Sequence, residues 1–132
     1  MIHKIVITTA LLLSTSVLLA DAVEDMFTEY KSQGVTVTDV KRGEALWNKE
    51  FKNEKTGKMR SCTNCHGVDL TQAGEHVRTG KLIKPMAPSA YGKRYSDVRK
   101  IKKWFKRNCK WTVGRECSAQ EQADILSYLQ KL

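Results

Sequence analysis

Cys62-Thr63-Asn64-Cys65-His66 constrains this chain more than any other stretch. Two thiols three positions apart can each add to one vinyl group of a single porphyrin, and a histidine directly after the second thiol then stands under the iron. The five residues point to a covalently bound haem c, attached through Cys62 and Cys65 and ligated by His66. Other uses of the pattern fit less well. A redox Cys-x-x-Cys follows a strand in a βαβ unit, and no such pattern surrounds this one. A structural zinc site needs two more ligands at knuckle-like spacing, which Cys109 and Cys117 do not supply.

Residues 1–22 read as a secretory signal. Lys4 gives the positive start, Ile5 to Ala20 is an apolar run broken only by Thr and Ser, and Ala20-Asp21-Ala22 matches the small-x-small cleavage pattern. The run is short for a membrane span, which takes roughly 20 apolar residues. Cleavage leaves one small domain, 23–132, placed in the bacterial periplasm, where disulfides persist. Its apolar content is modest for a self-sufficient core, so a buried porphyrin must supply the missing apolar surface.

The periodicity is helical and no alternating strand pattern appears, so the expected fold class is all-α. Val23–Gln33, with Met26, Phe27 and Tyr30 on one side, reads as a short helix ended by Gly34. Thr38 offers an N-cap for a second helix, with Asp39 in its first turn. Gly43 lies one turn below Trp47 on that helix, where a missing side chain lets another helix approach. Ser96 is read as the cap of a third helix, whose stripe Val98, Ile101, Phe105 and Asn108 is spaced three, four and three. Ser118-Ala119-Gln120-Glu121 is a capping box opening the last helix. A Gly-x-x-x-aromatic helix, then Cys-x-x-Cys-His, then an aromatic-bearing terminal helix resembles the class I cytochromes c. That resemblance covers about Thr38 to Leu132 and implies that the terminal helix crosses the first at the glycine.

Two residues compete for the far face of the iron. Met86, in Lys84-Pro85-Met86-Ala87-Pro88, has the soft thioether that favours ferrous iron in electron carriers. It also reads as a pocket-wall methionine. Asn108 is a polar residue on an apolar stripe, and burying it unpaired costs roughly 1–3 kcal/mol. Alternatively, it caps the helix end. His76, between Glu75 and Val77, reads as a surface residue. Cys109 and Cys117, left over after haem attachment, should pair in an oxidising compartment, closing a short loop worth on the order of 2–3 kcal/mol.

Arg107-Asn108-Cys109, Gly114-Arg115-Glu116-Cys117 and Ser118-Ala119-Gln120-Glu121 together resemble the sphaeroides-type haem protein (SHP) branch of the cytochromes c. Pro85-Met86-Ala87-Pro88 and Lys103-Trp104-Phe105-Lys106-Arg107 match the same pattern. The resemblance implies that Asn108 is the distal ligand of ferric iron, with the Cys109–Cys117 disulfide beside it. It implies that the ligand leaves on reduction and that oxygen or nitric oxide then binds. Met86, Trp104 and Phe105 become haem-contacting residues, and a dihaem cytochrome c becomes the electron donor. An amide oxygen is a hard, weak ligand, suited to ferric iron and readily lost from the softer ferrous state.

The charge supports a docking role. The chain has 23 basic and 14 acidic residues. Ten of the basic residues and one acid, Asp97, fall within 91–115, so the whole excess of +9 is local. Lys100, Lys102, Lys103, Lys106, Arg107 and Lys110 are the expected contacts for an acidic redox partner, whose encounter such a cluster accelerates. An exported protein does not meet nucleic acid, and an anionic membrane surface is a further target of such a patch. The leading expectation is thus a periplasmic cytochrome that accepts electrons and binds a diatomic ligand. Behind it stand a plain electron carrier with His66/Met86 ligation and a gas carrier or sensor without turnover. No dedicated proton donor for catalysis is evident.

Overall fold

The computed structural model describes residues 21–132. The expected signal segment 1–22 lies outside them except for its last two residues. Helix α1 spans Ala22–Ser32, α2 Val40–Asn48, α3 Thr63–His66, α4 Val98–Thr112 and α5 Ala119–Leu129. Four two-residue strands form two small antiparallel hairpins. β1 (Phe51–Lys52) pairs with β2 (Met59–Arg60), and β3 (Gly74–Glu75) pairs with β4 (Leu82–Ile83). The expected all-α class holds, because these strands only fasten loops.

Local chemistry explains the helix ends. Asp21 caps α1 through its carboxylate. At the other end, Gly34 and Val35 donate to the carbonyls of Lys31 and Tyr30, a paired closure of the last turn. The caps of α2 and α4 are Asp39 and Asp97, each one residue later than the expected Thr38 and Ser96. A carboxylate accepts two amides and also answers the positive end of the helix. Asp39 accepts from Lys41 and Arg42 at 2.8 and 3.0 Å, and Asp97 from Arg99 and Lys100 at 2.9 and 3.2 Å. The Ser118–Glu121 capping box forms as expected.

Helix α4 also runs on past Asn108 to Thr112, since no breaker intervenes before Gly114. Its inward line is Ile101, Cys109 and Thr112, with Phe105 half-buried, so the expected stripe drifts off Asn108 onto its neighbour.

Two apolar clusters share α5. One joins Met26 and Tyr30 of α1, Val35, Ile101 of α4, and Ala123 and Leu126 of α5. The other joins Trp47 of α2, Leu70, and Ile125 and Leu129 of α5, with Cys62, Met86 and Tyr128 against it. Phe105 and Tyr95 reach both. Helix α2 crosses α5 at Gly43, where a Cβ would overlap the carbonyl of Asp124. Asp124 is buried and fully engaged. It accepts from the Asp39 amide at 2.7 Å, from Arg42 at 2.8 and 3.1 Å, and from Gln120 at 3.0 Å. Among the described residues no helix is long and apolar enough to cross a membrane.

Candidate haem site

The motif is one helical turn. His66 and Cys65 donate their amides to the Cys62 carbonyl at 3.1 and 3.3 Å, so both thiols and the imidazole leave the same short segment. The two residues between the cysteines hold it closed. The Asn64 side chain accepts from the Ser61 amide at 2.7 Å, and Thr63 meets the hydroxyl of buried Ser61 at 2.6 Å. Gly74, at the start of β3, lies flat on this turn. A Cβ there would overlap the Cys65 carbonyl and come 2.8 Å from the His66 Cα.

Cys62 and Cys65 are free thiols, whereas Cys109 and Cys117 are bonded to each other. Burial pushes the Cys62 thiol up to about 12. Burial, with the Arg94 charge second, lowers His66 to about 4. The imidazole is therefore neutral, the form that binds a metal. Its Nδ1 is buried without a hydrogen-bond partner among the described residues, as is Nε1 of Trp47, whose ring centre lies 5.2 Å from that of His66. Two free thiols, a neutral imidazole and an apolar wall of Trp47, Leu70, Met86 and Leu129 fit a covalent haem. Its contribution is an iron that takes up one electron and offers a sixth coordination position.

Met86 is fixed by its main chain. Its amide and that of Ala87 donate to the Leu70 carbonyl at 3.0 and 2.9 Å, and the Tyr95 hydroxyl donates to the Met86 carbonyl at 2.8 Å. Its side chain joins the cluster that contains Trp47, the ring beside His66. Arg94 braces the same loop through the carbonyls of Pro85 (2.8 Å) and Lys84. Half-buried Arg94 and Tyr95 go unmarked in the sequence, where an arginine and a tyrosine in a basic run carry no sign of this task.

Asn108 is exposed on α4, and among the described residues no hydrogen bond ties its amide. Trp104, one turn before it, is 48% exposed, with the Lys103 and Arg107 cations 5.8 and 5.1 Å from its ring centre. Phe105 is half-buried between the two clusters. His76 sits in a surface turn, where Nδ1 accepts the Arg78 and Thr79 amides at 3.3 Å. The basic residues divide into two groups. Lys102 pairs with Glu29 at 2.5 Å, and Lys106 and Lys110 pair with Glu116 at 3.8 and 3.1 Å. Lys100, Lys103 and Arg107 have no acidic partner among the described residues.

Comparison with known proteins places this geometry. Residues 33–129 match the family model described as DUF1924, a domain of unknown function. The cytochrome c-type protein SHP of Cereibacter sphaeroides is 43% identical over 103 residues, 76% of each chain. Cytochrome c'' of Methylophilus methylotrophus is 34% identical over 94 residues, 71% of this chain and 62% of that one. The structure of oxidised SHP, described as an oxygen-binding cytochrome c, superposes with a TM-score of 0.75 at 37% identity, covering 85% of this chain and 98% of that one. Cytochrome c'' superposes at 0.72 and 28% identity, covering 83% and 93%; its solution structure addresses haem-ligand detachment. Fold and motif together define a c-type cytochrome of the class I fold, carrying one covalent haem c. More narrowly, the chain belongs to the DUF1924 family and to the SHP branch of the cytochromes c.

Proposed function

We propose that this cytochrome works in the bacterial periplasm, accepts electrons from an acidic partner and binds a small diatomic ligand, oxygen or nitric oxide, opposite His66. Cys62 and Cys65 hold the haem and His66 ligates it. Asn108 supplies a weak sixth ligand to the ferric protein and withdraws on reduction, which makes room for the diatomic molecule. One observation carries this reading: the Asn108 amide is unengaged on the face of a helix whose end is bonded, through Cys109, to Cys117. The likeness to SHP, an oxygen-binding cytochrome c, supports it. Met86 serves as a wall residue, since its main chain is pinned to Leu70 and Tyr95 on the side of Trp47 and His66. Trp104 and Phe105 line the haem from α4.

The donor is an acidic redox protein, a dihaem cytochrome c by analogy with the family. Lys100, Lys103 and Arg107 form the centre of its docking surface. Lys102, Lys106 and Lys110 share their charge with Glu29 and Glu116 and contribute less.

The optical spectrum of the purified protein tests the ligation. A high-spin ferric form and a ferrous form that takes up carbon monoxide at once are expected. The far-red band of methionine-ligated ferric haem, with no carbon monoxide uptake, would replace this reading with that of a plain electron carrier. Asn108→Ala should leave haem attached and let the ferric protein bind added azide more tightly. The same result from Met86→Ala instead would exchange the two roles.

A further inference from the structure

A distal ligand works only if the wall that carries it keeps a fixed distance from the wall that holds the iron. The segment leading into the haem motif is bonded to the end of α4 through Arg60 and Trp111. The guanidinium of Arg60 donates to the Trp111 carbonyl at 2.9 Å and lies 4.4 Å from the centre of the Trp111 ring. Arg60 is two residues before Cys62. It is held in β2, opposite Phe51 of β1, so its own backbone is anchored. Trp111 is three residues after Asn108, within the last turn of α4. The last four carbonyls of a helix lack an internal partner, and Arg60 satisfies one of them. Among the described residues this is the hydrogen bond that joins the two segments.

From this geometry we infer that Arg60 is a positioning residue for Asn108: it holds the end of α4 against the haem-bearing turn and so strengthens the Asn108 grip on ferric iron. The inference rests on Asn108 being the distal ligand. It assigns Arg60 a task its sequence position did not announce. The planar fork bonds the carbonyl and covers the indole face together, which a lysine does not reproduce. The Cys109–Cys117 bond fixes the same turn from the α5 side, and Arg60 supplies the hydrogen bond to it from the haem side, beyond the apolar packing of Phe105 one to two turns earlier.

The test is azide binding to the purified ferric holoprotein, in a double-mutant cycle of Arg60→Ala and Asn108→Ala, with Arg60→Lys alongside. Azide competes with Asn108 for the iron, so a weaker grip raises its apparent affinity. Arg60→Ala should raise it roughly tenfold, about the loss of one charged hydrogen bond. Arg60→Lys, which keeps the charge but loses the planar fork, should raise it about threefold. In the Asn108→Ala background, removing Arg60 should add nothing. An Arg60→Ala affinity within about twofold of wild type would overturn the inference, as would an equal rise in both backgrounds. Should Arg60→Ala fail to yield folded holoprotein, Arg60→Lys takes its place in the cycle, and the same two results overturn the inference. If Asn108→Ala alone leaves azide binding and the ferric spectrum unchanged, the ligand assignment falls and the inference falls with it.

Discussion

Gly43 of α2 lies against the main chain of Asp124 in α5, with no room for a single carbon between them. The neighbouring Arg42 then closes on the Asp124 carboxylate, so close approach and charge pairing fix one crossing. Gly43→Ala must push apart two helices rather than displace a flexible side chain. It should destabilise the holoprotein by about 3 kcal/mol, at the upper end of overpacking effects. Denaturant unfolding checks this, and a change below about 1 kcal/mol would mean that the helices part freely.

Acid should loosen the start of α5. The Arg115 guanidinium, with the Ser118 amide, holds the Glu121 carboxyl at about 2, below its ordinary 4.5. A depressed acid contributes its full stability above the ordinary value and loses it as pH falls through the folded one. The stability gap between wild type and Glu121→Gln should therefore be constant above pH 4.5 and close between about 4.5 and 2. Unfolding across that range is the measurement. A constant gap would move the acid sensitivity elsewhere.

The division among the basic residues predicts unequal effects on electron uptake. Charge reversal at Lys103 and Arg107 should slow reduction by an acidic cytochrome about tenfold at low ionic strength. Reversal at Lys106 and Lys110, already paired with Glu116, should slow it less. The difference should fade as salt shortens the screening length to roughly 8 Å near physiological strength. Equal effects from the two pairs would refute the division.

The N-terminus offers a further check. Asp21 caps α1, and Ala22 is 8% exposed within the first cluster. A mature chain beginning at Asp21 should be more stable than one beginning at Val23 by about 1 kcal/mol, the usual value of an N-cap. Thermal melts of the two forms measure this difference, and N-terminal sequencing of the protein recovered from cells tests the proposed removal of the signal and its position. Equal melting temperatures would remove the structural reason to prefer a cut before Asp21.

The helices were legible because their signals are local. A period near 3.6 places Met26 with Tyr30, and Ser118 three residues before Glu121 forms a capping box whatever surrounds it. Gly43 was legible through its spacing to Trp47. The caps slip by one residue because Thr38-Asp39 and Ser96-Asp97 each offer two competent acceptors in succession, and only the geometry of the turn chooses the carboxylate. The inward line of α4 leaves the expected stripe at Asn108 because Cys109, one position on, is drawn inward by its bond to Cys117. The tie between Arg60 and Trp111, 51 residues apart, and the pairing of Lys102 with Glu29 depend on tertiary approach. No window along the chain contains both partners.

Helix α5 faces two ways. Ala123 and Leu126 belong with α1 and α4, while Ile125 and Leu129 stand behind the haem-bearing turn. One wall therefore serves two rooms, and neither room can be emptied without taking the wall down. Loss of order around the haem should therefore spread through α5 to α1, whose buried residues belong to the other cluster. A chain arranged in this way should melt in one step, with no half to fall back on.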